Sequence, residues 1–320
     1  MKNWTEVSEF TLLGLTKDHS LQQILFTLFL LFYIVCLLGN GAILGVILAK
    51  PPLHNPIIFF LGNLSCLDMF YSTVTVPKML SGFLRKHQSI SLIGCLTQLH
   101  FFHFLGSSET VLLGVMAYDR YVAICHPLRY TLIMNKWACI TPSGAARAAG
   151  FFHALMHRVV TSQLWFCGSN RIAHFFCDIK PLLKLVCSST TLNFCLLKFV
   201  TGPFAVSPFF VTLLSYFYII SFLFFKVQSW QNRWKVFSTC ASHLSVVAIF
   251  YIPVLSNYMI ASASDSSEND MIMSVLYSII TPVLNPMIYT LRKQEVKTSI
   301  RKILKKKISL MYNHHVYLWN

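Results

Sequence analysis

Long apolar stretches recur along this chain, separated by short polar intervals. Seven of them cover roughly residues 22–49, 56–80, 95–122, 139–161, 194–225, 236–260 and 271–291. Each is about 20 residues or longer, enough for an α-helix to cross a hydrocarbon core of ~30 Å. A span in lipid must satisfy its own backbone groups, so helices are the only option. The pattern predicts an all-α fold, a seven-transmembrane helix bundle, with residues 1–320 as one domain. Residues 1–21 form a short N-terminal segment and 292–320 a tail. No repeat stands out, and the intervals are short except between the fourth and fifth stretches. Helical spacing continues past the seventh. Val296, Ile300, Ile303 and Leu304 fall on one side, with Lys and Arg on the other. That predicts a short amphipathic C-terminal helix lying along the inner leaflet.

Composition strengthens the membrane reading. Hydrophobic residues make up 55% of the chain and charged residues only 12%, with mean hydropathy +0.59. Soluble domains carry about a quarter charged residues, and so few charges could not cover a soluble surface of this size. The formal net charge of +15 raises the question of nucleic acid. Placement answers it, because the densest basic run, Arg301-Lys302 with Lys305-Lys306-Lys307, sits where anionic lipid headgroups would meet it. Membrane lipid is the expected partner and nucleic acid is not. The first apolar run, beginning near Leu21, is too long for a signal core, so it is expected to stay as an anchor.

Charge also sets orientation. With the N-terminus outside, about 15 of the 26 basic residues lie on the inner side, against about nine outside. Two features agree. Asn3-Trp4-Thr5 is a glycosylation acceptor, useful only on the lumenal side, so Asn3 is expected to carry a glycan. Asn63-Leu64-Ser65 also matches but lies inside a span. Cys95, Cys167, Cys177 and Cys187 all fall on the outer side, an even number in an oxidising compartment. Four cysteines allow three pairings, and spacing does not choose among them.

Several polar residues interrupt the apolar runs. Asp68 and Glu109 are carboxylates in the second and third spans, where ionisable groups are costly and usually functional. A sodium ion between them would relieve their repulsion, and so would protonation with hydrogen bonding. Asp119-Arg120-Tyr121 closes the third span at the inner face, although neighbours in sequence do not share a helix face. Pro286, after Asn285, invites a kink in the seventh span. His100 and His103, and the run His174-Phe175-Phe176-Cys177-Asp178, have metal-like spacing. No third ligand is evident for the first, and a disulfide would consume the thiolate of the second. No phosphate loop, His-Glu-x-x-His or nucleophile elbow is found, so an enzyme is not expected.

At five places in order, the chain resembles the odorant receptors, a rhodopsin-like family of G-protein-coupled receptors. They are Leu53-His54-Asn55-Pro56 through Asp68, Met116-Ala117-Tyr118-Asp119-Arg120-Tyr121 through Cys125, Ser215-Tyr216, Lys235 through Leu244, and Pro282-Val283-Leu284-Asn285-Pro286-Met287-Ile288-Tyr289. The moderate outer loop resembles the tetrapod-type class. This likeness covers nearly the whole chain. It implies a Cys95–Cys177 bridge, a second bridge from Cys167 to Cys187, and a sodium ion at Asp68 and Glu109 as the one non-protein component. It implies that Asp119, Arg120, Tyr121, Tyr216, Asn285, Pro286 and Tyr289 carry activation of the olfactory stimulatory heterotrimeric G protein from a plasma-membrane location.

The same resemblance places a small volatile odorant in the outer half of the bundle. Phe102, His103, Ser107 and Thr110 of the third span would line its pocket with Phe204 of the fifth. Tyr251, Val254 and Tyr258 of the sixth and Val275 and Ser278 of the seventh would complete it. Such a pocket is mostly apolar with a few placed polar groups. Three departures stand out. Pro56-Ile57-Ile58 replaces the family's usual Pro-Met-Tyr, and Phe250-Tyr251-Ile252 its Phe-Tyr-Gly. In the fourth span Arg147 stands near a usual Trp, at a cost of ~2.5–3.5 kcal/mol for a central charge. Arg147 is therefore expected to limit folding and surface delivery, with Gly144, Ala148 and their neighbours offering a small-residue packing face. A receptor impaired by this span, or a small-solute transporter, are the alternative readings. The transporter reading lacks internal pseudo-symmetry.

Overall fold

The computed structural model describes residues 7–49, 55–85, 88–167, 169–260 and 267–292. Its long helices begin with α1 (His19–Ala49), α2 (Pro56–Leu84), α3 (Leu92–Cys125) and α4 (Lys136–Ser162). Three composite rods follow. α5 is Thr191–Leu196, a π-helical turn Leu197–Thr201, and Gly202–Lys226; α6 is Trp230–Leu255 with a π turn Ser256–Ile260; α7 is Ser267–Val275, a π turn Leu276–Ile280, and Thr281–Arg292. Every predicted span has its helix. The sixth begins earlier than the apolar run near residue 236, because its polar first turns extend the helix beyond the apolar stretch. The expected amphipathic helix after α7 lies outside the described residues, as does Asn3.

Local chemistry explains the starts. Ser91 accepts from the Gly94 amide at 3.1 Å and Asn135 from the Ala138 amide at 3.0 Å. Each satisfies an orphan donor at a helix N-terminus. Pro56 stands in the first turn of α2, where its missing N–H costs no hydrogen bond.

Among the described residues, five helices are long and apolar enough to cross a membrane: α1, α2, α5, α6 and α7. α3 and α4 are as long, at 34 and 27 residues, but more polar. Large apolar side chains such as Ile24, Leu38, Phe217 and Phe224 point outward, while Asn40, Asp68, Ser108 and Glu109 are buried. This inversion suits a bilayer solvent, in which polar groups face the bundle interior.

Helices cannot be driven together by apolar burial when lipid is equally apolar, so close packing at small residues matters. A Cβ added at Gly150 of α4 would come within 2.6 Å of Ser108 Oγ and 2.9 Å of the Phe104 carbonyl oxygen on α3. One at Gly114 of α3 would come within 2.9 Å of Pro208 Cβ on α5. The packing face of α4 differs from the expected one. Gly144 and Ala148 are exposed, and Ser143, Ala146, Gly150, Ala154 and Thr161 are buried. Arg147 is also corrected. Its guanidinium donates to Asn63 Oδ1 on α2, and Asn63 Nδ2 in turn donates to the Phe59 carbonyl at 2.7 Å. The charge is half-buried but partnered.

The all-α expectation needs one amendment. A three-stranded sheet of β1 (Glu9–Leu12), β2 (Ser89–Ser91) and β3 (Arg171–Ile172) caps the end of the bundle where α1 and α3 begin. Its order is β2-β1-β3, with β1 antiparallel to β2 and parallel to β3. These strands are too short for alternation to reveal them. Phe10 and Leu12 face inward onto Cys95, Leu99, Ile172 and Leu182. Of the pairings left open by spacing, the structure makes Cys95–Cys177 and Cys167–Cys187. The first ties the start of α3 to the loop between α4 and α5.

Candidate functional site

Beneath that cap lies a small cavity of about 40 Å³. From α3, Phe102, His103, Gly106, Ser107 and Thr110 reach it from one helix face. Tyr71 of α2, His153 of α4, and Phe204 and Ala205 of α5 add to the wall, with Phe250 and Val254 of α6. Thr201, Tyr258 and Tyr277 complete it, and all three sit in the π turns of α5, α6 and α7. A π turn re-aims side chains that a regular helix would carry past the axis, and such turns favour functional sites.

The loop between α4 and α5 packs on residues that line the cavity. Phe176 packs on Phe102 with ring centroids 4.4 Å apart. Asp178, only 2% exposed, is the clasp. Its carboxylate accepts from Tyr258 Oη at 2.9 and 3.1 Å and from the Ile179 amide at 2.7 Å, and lies 3.3 Å from His103 Nε2. Burial alone would raise the Asp178 carboxyl, but the hydrogen bond and charge of His103, helped by His174 and the Ile179 amide, hold it below its ordinary value. It is an anion at neutral pH. Burial pushes the neighbouring His174 down to about 4, which keeps that imidazole neutral.

Deeper in the bundle, Asp68 and Glu109 are fully buried. Asn285 Nδ2 donates to both Asp68 oxygens at 3.0 Å. Glu109 faces the same Asn285 side chain, but neither of its oxygens makes a hydrogen bond of good geometry among the described residues. Two buried carboxyls with spare lone pairs fit a hard cation taken by oxygen ligands. At the opposite end of the bundle, Tyr130 Oη donates to Asp119 Oδ1 at 2.8 Å and Tyr121 Oη lies 3.0 Å from His126 Nε2. Tyr216 Oη of α5 lies 2.8 Å from His243 Nδ1 of α6. Half-buried Arg120 is close enough to act on Cys240 and His243. Pro286 packs against Gly39 of α1, where an added Cβ would lie 3.0 Å from its ring.

A family model for the olfactory receptor matches residues 29–307. The chain belongs to the olfactory receptor family. It is similar to olfactory receptor 12D1 of Homo sapiens, 56% identical over 306 residues that make up 96% of each chain. Olfactory receptor 12D2 of Homo sapiens is 54% identical over 96% of this chain and 100% of its own. Olfactory receptor 1M1 of Mus musculus is 44% identical over 96% of this chain and 98% of its own. Family and apolar helices together make this a multi-pass membrane protein of a receptor family whose members are not enzymes.

Within this olfactory receptor the sequence-derived pocket residues divide. Phe102, His103, Ser107, Thr110, Phe204, Val254 and Tyr258 are brought to one cavity. Tyr251, Val275 and Ser278 are not among its walls. Tyr251 is fully buried behind it and donates to the Thr110 carbonyl at 2.6 Å. Val275 packs into the core, and Ser278 donates to the Ser274 carbonyl at 2.5 Å. Asp68 and Asn285 come together, and Tyr216 meets α6. The side chain of Tyr289 lies outside the described residues. Sequence reasoning missed His153, Thr201 and Tyr277, and met Asp178 only as part of a run with metal-like spacing. The pair His153 and His157, spaced i, i+4 inside a span, was the available signal for the first. The other three depend on π turns and a loop path that periodicity does not encode.

Proposed function

We propose that this protein is an odorant receptor of the plasma membrane. All seven long helices span, residues 1–320 form one receptor domain, the N-terminus is outside, and the tail is cytoplasmic. A small volatile ligand enters the outer cavity, and an olfactory stimulatory heterotrimeric G protein engages the inner face. The carrying observation is the cavity between the helices, mostly apolar with a few convergent polar groups, in a chain of this family.

The geometry suggests how the two ends communicate. At about 40 Å³ the resting cavity has room for only about three waters. A ligand must therefore push walls apart, and the clasp from Asp178 to Tyr258 makes α6 one of them. Pro253 lies inside α6 and removes one backbone hydrogen bond there, so the outer end can move against the inner. At the inner end the Tyr216–His243 contact and Arg120 would rearrange with Asp119, Tyr121, Asn285, Pro286 and Tyr289 to admit the G protein. The ligand acts only through its differential affinity for the open state. A sodium ion at Asp68 and Glu109 would hold the inactive state by neutralising both carboxyls. No other cofactor is invoked. The partnered state of Arg147 speaks against a receptor disabled by α4, and no feature favours a transporter.

Expression with the G protein and adenylyl cyclase, followed by a panel of volatiles, tests this reading. The expected result is a concentration-dependent rise in cAMP that Arg120→Ala abolishes at equal surface level. A surface-expressed receptor silent to every volatile, or one whose responses survive Arg120→Ala unchanged, would refute it. Removal of N-glycans should shift gel mobility, and Asn3→Gln should mimic that shift. No shift in either would withdraw the outside N-terminus.

A further inference from the structure

The cavity wall carries several hydroxyls and imidazoles, and nearly all of them are committed to partners within the protein. Thr110 Oγ1 donates to the Gly106 carbonyl at 2.8 Å. Tyr258 Oη donates to the Asp178 carboxylate at 2.9 Å, and His103 Nε2 lies 3.3 Å from the same group. Tyr277 Oη accepts from Asn257 Nδ2 at 3.2 Å and lies 3.0 Å from Ser274 Oγ. Ser107 Oγ lies 3.0 Å from His153 Nδ1, and Thr201 Oγ1 lies 2.9 Å from His153 Nε2 and 2.8 Å from His157 Nε2.

Tyr71 of α2 is the exception. It lines the cavity and is only 2% exposed, yet its phenol makes no hydrogen bond among the described residues. Nor is that hydroxyl sealed in by side chains, as the Glu109 oxygens are. A buried hydroxyl costs free energy until a partner reaches it. Packing fixes where it stands. The Tyr71 ring lies against Phe102 with centroids 5.1 Å apart, and Phe102 lies against Phe176 at 4.4 Å. Gly106 of α3 faces the hydroxyl, and an added Cβ there would lie 3.0 Å from Tyr71 Oη. The missing side chain at Gly106 leaves the phenol oxygen its place at the wall.

We propose that Tyr71 determines specificity in this olfactory receptor, its phenol donating a hydrogen bond to the oxygen of a carbonyl odorant: a ketone, aldehyde or ester. The inference rests on taking this cavity as the odorant site. No proton changes owner, and no protein hydrogen bond has to break. A carbonyl oxygen that takes the place of water at the phenol keeps that hydrogen bond, while the hydrocarbon body leaves water for apolar walls such as Phe102, Phe204 and Val254. The widening assigned to α6 does not disturb this donor, because Tyr71 stands on α2 and is held by Phe102 and Gly106 of α3.

Donor and acceptor counting selects the ligand class. A carbonyl brings lone pairs and no hydrogen, so its binding creates no new donor to satisfy. A hydrocarbon of the same shape excludes water from the phenol and gives nothing back, which costs the desolvation of that group. An ammonium ligand has only hydrogens to offer, and the Asp178 carboxylate already serves Tyr258, His103 and the Ile179 amide. The tautomer of His153 does not alter the conclusion. With the proton on Nδ1, Ser107 accepts from the imidazole and its own O–H becomes a second donor; with the proton on Nε2, Ser107 donates to the imidazole and Tyr71 stands alone. Either way the ligand must supply the acceptor.

The test uses full-length receptor in lipid nanodiscs with butanone, cyclohexanone and hexanal, each beside the hydrocarbon of matching shape in which a methylidene group replaces the oxygen. Ligand-induced thermal stabilisation is read beside cAMP in cells. The carbonyl compounds are expected to be roughly tenfold more potent than their hydrocarbon partners, the factor that one neutral hydrogen bond supplies. Tyr71→Phe is expected to bring each ratio close to one. It should also leave the unfolding temperature of the ligand-free receptor unchanged, because the hydroxyl it removes has no partner in the protein, whereas Tyr258→Phe should lower it. A Tyr71→Phe receptor that fails to fold, or unfolds clearly earlier, reveals a protein partner for that hydroxyl and overturns the inference. In wild type, isotope-labelled cyclohexanone should show a carbonyl stretch below its position in hexane, a readout that needs no variant. Equally potent hydrocarbons, a ratio that survives Tyr71→Phe, an unshifted stretch, or no stabilisation by any of the carbonyl compounds also overturns it, while the odorant-receptor reading stands or falls on the wider volatile panel. Stabilisation by the carbonyl compounds that Tyr71→Phe removes, without cAMP, supports the inference and counts against G-protein signalling.

Discussion

Asp178→Asn removes the charge of the loop clasp with almost no change in shape. The wild-type carboxylate serves three donors: Tyr258 Oη at 2.9 Å, the Ile179 amide at 2.7 Å and His103 Nε2 at 3.3 Å. A hydrogen bond to a charged group contributes ~1.5–3 kcal/mol, against ~0.5–1.5 kcal/mol for a neutral one. Losing that difference at three donors, with an amide NH2 now facing one of them, should cost about 3–5 kcal/mol. At ~2–4 °C per kcal/mol for large domains, thermal unfolding should begin roughly 6–20 °C earlier. The assay is thermal unfolding of nanodisc-embedded receptor at pH 7. The sign of the pH effect follows from the depressed Asp178 carboxyl. A group lowered on folding adds stability above its unfolded value, 3.8 here, and that stability is lost as pH falls through the folded value. The gap between wild type and variant should therefore be full at pH 7 and shrink below about pH 4. An unfolding temperature within a degree of wild type at pH 7 would show that the clasp is not formed.

Three further outcomes follow from the packing and the polar core. Arg147→Trp should lower surface abundance, because it leaves Asn63 Oδ1 without its donor; a rise measured by flow cytometry would restore the sequence-based expectation of an unsatisfied charge. Gly150→Ala should destabilise the bundle by about 1–3 kcal/mol through overpacking on Ser108 and the Phe104 carbonyl, and an unchanged unfolding temperature would mean that α3 and α4 pack less closely. Raising sodium should weaken agonist potency in wild type, and Glu109→Gln should blunt that dependence; equal sodium sensitivity in both would favour protonated carboxyls over a bound cation.

The chain itself determined the helices, their order and the family. Apolar runs of about 20 residues leave few options in a bilayer, since each must satisfy its own backbone. The motifs around Asp119, Tyr216, His243 and Asn285 are local strings, legible without coordinates. Polar residues in apolar spans, Asp68 and Glu109 among them, also announced themselves, because such placement is costly unless the interior receives them. What periodicity could not supply is which face of a helix a residue occupies after a π turn. Each π turn shifts the side chains beyond it by a large part of a helical step. Tyr277, inside the π turn, lines the cavity, and its neighbour Ser278 is not among the walls. The partner of Arg147 was equally invisible, since Asn63 lies 84 positions away and only the packing of α2 against α4 joins them. The outer sheet and Asp178 belong to the same class. Short strands and a loop carboxylate acquire their partners from a disulfide-anchored path through space, and contacts at such separations are set by tertiary closure rather than by any local pattern.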